Sequence, residues 1–476
     1  MHHTLLIRTE SKREQKPAGA FVPSHRAPCS IIHELARKAF IMGTTTLSRG
    51  GSMLTTTLSN GLTVFLKEIH TAPIISHWVW YRVGSRDEIP GITGISHWVE
   101  HMQFKGTPKF PAGVLDKAIS RTGGTWNAFT YLDWTTFYET LPADQVQLAL
   151  DLESDRMVNS RFDPDEVASE RTVVISERQG NENEPSFLLA EEVQAAAFRV
   201  HSYHHEVIGD LADLETMTRD DLYRHYRTYY IPNNAVLAIA GDFQAEAMLQ
   251  RVQEAYGSIP AGEAPPRRAR PEPPQRGERR VTVEGPGETV FLQVAYHAPN
   301  ATHPDFFPLL ALDSLLSGPT NLNLFGSGLT NKTSRLYRAL VDTQYAVSVG
   351  GVLHPTIDPY LYTLHAIVHP DRTAEETLQA LDGEIARLQD APPPEDDLQR
   401  ALKQARALFA YGSESISNQA FWMGYSAMFA DYAWYTRFLE RLEAVTPEDV
   451  QRVAQTYLRP QNRVVGVYLP ANEVSQ

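Results

Sequence analysis

At 476 residues the chain is too long for one typical core, so two domains or two fused halves are expected. With 42% hydrophobic and 21% charged residues it has the composition of a soluble globular protein, and no apolar run is long enough to span a bilayer, which argues against a membrane-embedded role. A formal net charge of -14 disfavours nucleic acid as a partner, and the single cysteine, Cys29, excludes an intrachain disulfide and thiolate zinc clusters, leaving histidine and carboxylate as metal ligands.

Residues 1–53 are polar and basic: Arg8, Lys12, Arg13, Lys16, Arg26, Arg37, Lys38 and Arg49 outnumber Glu10, Glu14 and Glu34. No long apolar stretch follows, so a secretory signal is not supported. A flexible tail, or translation starting further on at Met42 or Met53, is favoured over a transit peptide. The expected location is cytoplasmic, with an organelle matrix or periplasm as alternatives. From residue 54, "LTVFLKE", "ISHWVWYRVGS", "NAVLAIAGDF" and "RVVGVYLP" predict strands bounded by turn residues, with helical periodicity between them, an α+β pattern. In residues 258–280, "SIPAGEAPPRRARPEPPQRGERR", proline and arginine crowd together and apolar periodicity is lost, as in a solvated, semi-rigid linker. This divides the chain into 54–257 and 281–476. The halves contain related stretches, "ETMTRDDLYRHYRTYYIPNNAVLAIAG" and "EAVTPEDVQRVAQTYLRPQNRVVGVYL", which align without a gap. Each opens on Thr-x-x-Asp, an acidic capping box, and passes through a proline into a β-rich run, which predicts a duplicated domain.

The chemistry concentrates in "GITGISHWVEHMQFKGT". On a helix the positions i, i+3 and i+4 share one face, so His97, Glu100 and His101 converge. Two neutral imidazoles can bind zinc while the carboxylate between them holds a water, and the order H-x-x-E-H is the inverted form of a known zinc-peptidase motif. A catalytic zinc usually takes three protein ligands, and with no cysteine at hand the third is expected to be a carboxylate. "PDEVASERTVVISERQGNENE" offers Glu170 and Glu177, which lie seven residues apart and therefore on one helical face. Its β-branched "TVVI" implies burial of this helix against a core. "GGTWNAFTYL" reads as a turn leading into an edge strand, and an exposed edge can pair with an extended peptide. The histidines of "HSYHHEVIG" read as loop histidines, "GSGLTNKTS" as a poor match to a phosphate loop, and "FWMGYSAMFADYAWYTRF" as core or inter-domain packing.

Taken in order, "GISHWVEHMQFKGT", "GGTWNAFTYLDWTTFYETLP", "ERTVVISE", "HSYHHEVIG" and "YYIPNNAVLAIAGDF" make the chain resemble the pitrilysin family of zinc metallopeptidases from about residue 54 onward, and most of all its short two-domain members that act as pairs of similar subunits. The resemblance implies two homologous α/β-roll domains, each an antiparallel-rich sheet packed with helices, together forming half of a clamshell. It also implies one zinc per chain held by His97, His101 and Glu177, Glu100 as catalytic base, Glu170 as a supporting carboxylate, and Asn127 and Ala128 holding an extended or unfolded peptide substrate beside the metal. In self-sufficient members an arginine and a tyrosine of the C-terminal half face the zinc. Counted from Ser334, their places fall here on Val341 and Ser348, while Arg338 and Tyr345 lie one helical turn too early. The expected enzyme is a zinc endopeptidase completed by a homologous partner subunit that supplies the Arg/Tyr pair; the alternative is a non-catalytic scaffold or peptide-binding subunit of a larger complex.

Overall fold

The computed structural model describes residues 48–50, 53–267, 270–319, 322 and 332–471, so most of the basic N-terminal segment and Gly326–Asn331 of "GSGLTNKTS" lie outside the described residues. Among those described, β1 (Ser48–Gly50), β2 (Met53–Thr57), β3 (Thr63–Glu68), β4 (Ile74–Tyr81), β5 (Thr125–Thr130), β6 (Thr135–Pro142) and β7 (Ala235–Gly241) form a seven-stranded sheet in the order β1-β2-β3-β7-β4-β6-β5. A five-stranded sheet follows, built from β8 (Arg279–Gly285), β9 (Phe291–Ala298), β10 (Ala346–Leu353), β11 (Tyr360–Val368) and β12 (Arg463–Pro470) in the order β10-β11-β9-β12-β8. The four runs expected as strands are β3, β4, β7 and β12.

The second sheet repeats five strands of the first, which adds β1 and β2 beyond β3. β3-β7-β4-β6-β5 corresponds to β8-β12-β9-β11-β10, and in each sheet one pair alone among the described strands, β3 with β7 or β8 with β12, is parallel. Among the helices, α1 (Ile95–Met102), α2 (Pro164–Glu182), α3 (Pro185–Ala197), α4 (Arg219–Tyr229), α5 (Ile416–Phe429) and α6 (Pro447–Tyr457) bear on the site or on the joining of the halves. The duplicated sequence makes duplicated bonds. Thr218 caps α4 in a capping box with Asp221, and Thr446 caps α6 with Asp449. Beyond each helix, the Asn234 amide donates to Tyr229 O and the Asn462 amide to Tyr457 O, both at 2.8 Å, and this fixes the turn into β7 or β12.

Side-chain alternation gives the first sheet two buried faces. Val79 and Tyr81 of β4 point toward the core shared with α1, while Trp78 and Trp80 point the other way. That second face is covered by α5 from the far end of the chain, with Phe421 edge-on to Trp80 at 5.5 Å between ring centroids. The exchange is mutual, because α3 carries Leu189 and Val193 onto the face of the second sheet formed by Ala295, Val464 and Tyr468. The aromatic segment expected to be core or inter-domain packing therefore packs between the halves. Gly424 permits the α5 contact: a Cβ there would lie 2.0 Å from Trp80 Nε1 and 2.2 Å from Cδ1, on a ring with no exposed surface. Alanine would gain about 1 kcal/mol of helix propensity, but overpacking against an immobile ring typically costs about 1–3 kcal/mol and at this separation outweighs it. Gly424→Ala is expected to lower the unfolding midpoint in urea.

Between Tyr256 and Arg279 the described residues form no helix or strand. The segment is nonetheless tied down where the sequence suggests free solvation. Arg267 donates to Asn234 Oδ1 at 2.9 Å, and the Glu272 carboxylate accepts from the successive amides of Arg199, Val200 and His201 at 2.8, 2.9 and 3.1 Å. Gln275 reaches Arg463 O at 2.6 Å. Glu272 and Gln275 thereby satisfy backbone groups that the two halves leave open. Among the described residues no helix is long and apolar enough to cross a membrane.

Candidate metal centre

Helix α1 buries Ile95, Ser96, Trp98, Val99, Glu100 and Met102, so that His97 and His101 are left on its more open side. Helix α2 lies against it with only Val167, Glu170, Val174 and Arg178 buried, roughly one residue per turn. The expected burial of this helix against a core is met along a single narrow stripe: Val174 is in the core, whereas Val173 is 47% exposed.

That stripe brings the two helices' chemistry together. His97 Nε2 lies 3.9 Å from Glu177 Oε1 and His101 Nε2 lies 3.5 Å from Glu177 Oε2, and one ligand atom from each of the three residues falls within 4.8 Å of the others. Ligands at about 2.0–2.1 Å from a tetrahedral zinc stand about 3.3–3.4 Å apart, close to these separations. The Glu177 side chain is 36% exposed, which leaves the centre open on one side. Burial, with His101 beside it, holds the His97 imidazole well below its usual range, so it is neutral and able to bind a cation. His97 Nδ1 is buried with no hydrogen-bond partner among the described residues. Two imidazoles and one carboxylate, with no thiol, form a donor set that suits zinc. No other cluster of potential ligands stands out among the described residues, and the histidines of "HSYHHEVIG" are otherwise engaged: His201 meets Asp358 at 3.1 Å and His205 meets Glu88 at 2.9 Å.

Glu170 stands behind His101, with Oε1 2.8 Å from His101 Nδ1, and its other oxygen pairs with Lys105. Burial alone would raise the Glu170 carboxyl, but the bonds from His101 and Lys105 outweigh it and hold the group below the usual range. Burial would likewise lower the His101 imidazole, yet Glu170, Glu100 and Glu177 raise it instead. A carboxylate on Nδ1 also fixes which ring nitrogen faces Glu177.

Glu100 is 8% exposed, and its Oε2 accepts a 2.6 Å hydrogen bond from Thr130 Oγ1. Burial pushes its carboxyl up to about 7 against the opposing pull of His101 and Thr130. Thr130 ends β5, the outermost strand of its sheet, which packs on α1 and carries Asn127 and Ala128. The edge-strand reading therefore holds. Asn127 pairs with Tyr138 and Ala128 with Phe137 across β6, while the Ala128 amide donates to Asn127 Oδ1 at 2.9 Å. Sequence reasoning passed over Thr130 and Lys105. Strand alternation puts Thr130 on the same face as Ala128, and Lys105 is four residues beyond His101, so both signals were available. Arg338 and Tyr345 sit in the second half, the former on a single π-helical turn, Tyr337–Val341, and the latter with its ring 4.6 Å from the Arg372 guanidinium and its carbonyl bonded to Thr377.

Residues 63–211 match the model of insulinase, peptidase family M16, and residues 216–405 match that of the M16 peptidase inactive domain. The chain belongs to the M16 family of peptidases, the insulinase and pitrilysin relatives. It is 27% identical over 437 residues to an uncharacterized zinc protease of Streptomyces coelicolor, covering 89% of this chain and 92% of the relative. It is 26% identical over 423 residues to the mitochondrial-processing peptidase subunit beta of Lentinula edodes, covering 87% and 89%. The crystal structure of a protease from Helicobacter pylori superposes with a TM-score of 0.82 at 27% identity, covering 89% of this chain and all of that one. His97, His101 and Glu177 all fall in the segment matching the insulinase model and outside the one matching the inactive domain.

Proposed function

We propose that the chain is a zinc-dependent endopeptidase acting on extended or unfolded peptides, the metal-bearing subunit of a heterodimer. The observation that carries this reading is the convergence of His97, His101 and Glu177 within 4.8 Å, beside a buried Glu100 whose carboxylate is held by Thr130. His97 and His101 through Nε2, and Glu177 through its carboxylate, would hold one zinc ion. Bound there, zinc would polarise the scissile carbonyl and acidify a water. With Oε2 fixed by Thr130, Glu100 takes up that proton on Oε1 and returns it to the departing amine nitrogen, with no covalent intermediate on the protein. Glu170 keeps His101 oriented. The free edge of β5 at Asn127 and Ala128 aligns an extended peptide through backbone hydrogen bonds, and the Ala128 amide exchanges its Asn127 acceptor for a substrate carbonyl.

The test is metal content. Purified protein is expected to carry one zinc per chain, removed by chelators and absent from His97→Ala and His101→Ala. Glu177→Gln should lose most of its zinc, whereas Glu170→Gln should keep it and turn over about ten- to a hundred-fold more slowly. Stoichiometric zinc in a variant lacking both histidines would sink the reading, and the opposite ranking of the two glutamates would show their roles exchanged.

A further inference from the structure

In "ASERTVVISERQ" each glutamate of interest is followed at once by an arginine: Glu170 by Arg171, and Glu177 by Arg178. Successive helical positions are rotated by about 100°, so a seven-residue repeat of this pair makes two parallel stripes, one of carboxylates and one of guanidinium groups. The carboxylates face α1. The guanidinium groups face the chain between residues 209 and 217: Arg178 Nη1 donates to Gly209 O at 2.8 Å, and Arg171 donates to Glu215 O at 2.9 Å and Met217 O at 2.7 Å. Arg178 also pairs with Glu191 of α3 at 2.8 Å, and Arg171 lies 4.8 Å from the ring of Trp98, the residue after His97.

The same stretch of chain grips the beginning of α1. Gly94, in the left-handed region at φ 82°, precedes that helix and gives it no side-chain cap. Glu88 takes the place of a cap: its two oxygens accept from Ser96 N and Gly94 N, both at 2.8 Å, and its buried charge faces the positive end of the helix. His205 holds Glu88 from behind at 2.9 Å. Asp213 accepts from the amides of Gly91 and Thr93 at 3.0 and 2.9 Å, and the Asp210 amide donates to Thr93 Oγ1 at 2.9 Å. Backbone meets backbone here, since a Cβ on Gly94 would lie 2.3 Å from Ile208 O and one on Gly209 2.3 Å from Thr93 O.

We infer that residues 205–217 are a template that sets the spacing between the histidine helix α1 and the Glu177 helix α2, with Glu88 and Arg178 as positioning residues for the metal. The inference rests on reading His97, His101 and Glu177 as zinc ligands. Neither Glu88 nor Arg178 touches the ion or the substrate. Each fixes one helix to the same stretch of chain, Glu88 through the His205 imidazole and Arg178 through the Gly209 carbonyl, and so the separation of the ligands is defined by that stretch rather than by the metal.

The experiment is a cobalt(II) titration of the whole chain in competition with a chelator, following the visible absorption that reports ligand geometry. Glu88→Gln and Arg178→Met are expected to weaken cobalt binding about ten- to a hundred-fold and to alter the spectrum, with Arg178→Lys recovering part of the loss. Gly424→Ala, destabilised on the far face of the sheet, should bind as wild type does and so separates ligand positioning from general loss of stability. If Arg178→Met does not fold, the nearly isosteric Glu88→Gln decides the matter alone. Wild-type protein that takes up no cobalt would overturn the zinc reading and this inference together. Wild-type protein that binds cobalt, with Glu88→Gln and Arg178→Met within about threefold of it, would overturn the inference and leave the zinc reading standing.

Discussion

Glu100→Gln is expected to keep its zinc and to lose peptide hydrolysis by about a hundred- to ten-thousand-fold, the range that positioned proton transfer contributes. The substitution is close to isosteric, and the glutamine carbonyl can still accept the hydrogen bond that Thr130 now gives to Oε2. What disappears is the second oxygen, the one free to take a proton. Because Glu100 is not among the three residues whose ligand atoms converge, metal content is a clean control: His97, His101 and Glu177 are untouched. The measurement is turnover of an unstructured peptide, read by mass spectrometry, alongside zinc per chain. A Glu100→Gln protein that cleaves at the wild-type rate would remove Glu100 from the proton path.

Purified alone, the chain is expected to bind zinc and cleave feebly, and a homologous subunit bearing the Arg/Tyr pair should raise turnover about a hundred- to a thousand-fold, the usual cost of losing a donor aimed at a developing oxyanion. The places assigned to that pair are Val341 and Ser348, neither of which supplies a suitable cation or phenol. Arg338 and Tyr345 have the right separation. The Tyr345 ring, however, packs 4.6 Å from the Arg372 guanidinium, just before the helix Ala374–Asp390. The likeness to a protein named as a subunit, the beta chain of mitochondrial-processing peptidase, motivates the same expectation. Full activity in a verified monomer, abolished by Tyr345→Phe, would show instead that the pair is present in this chain.

The grouping of the candidate ligands was largely legible because its spacing is local. The positions of His97, Glu100 and His101 follow from 3.6 residues per turn, and Glu170 and Glu177 from nearly two turns, so helix geometry alone brings each set to one face. The duplicated caps at Thr218 and Thr446 were legible for the same reason. Features that depend on distant chain were not. The apolar face of α5 announces burial without saying on which sheet, and only the fold shows that it lies on Trp78 and Trp80. Arg267 and Glu272 look like solvated charges in a proline-rich connector, since nothing local reveals that the Arg82 carbonyl and the Arg199 amide, far away in the chain, await them. In the same way "TVVI" shows that this helix needs a core to rest on but not which side chain enters it, and the fold buries Val174 while leaving Val173 in water.

The exchange of α3 and α5 between the two sheets makes the halves inseparable in manufacture as well as in form. A ribosome that has completed β7 has made the whole seven-stranded sheet, but the helix that covers Trp78 and Trp80 begins at Ile416. Until it emerges, one sheet face rich in tryptophan is bare, and a chain cut short in the connector would carry that bare face permanently, a surface disposed to aggregate. Severing the finished protein in the same connector would be a different matter: each fragment would already hold a helix of the other, and the two would stay clasped.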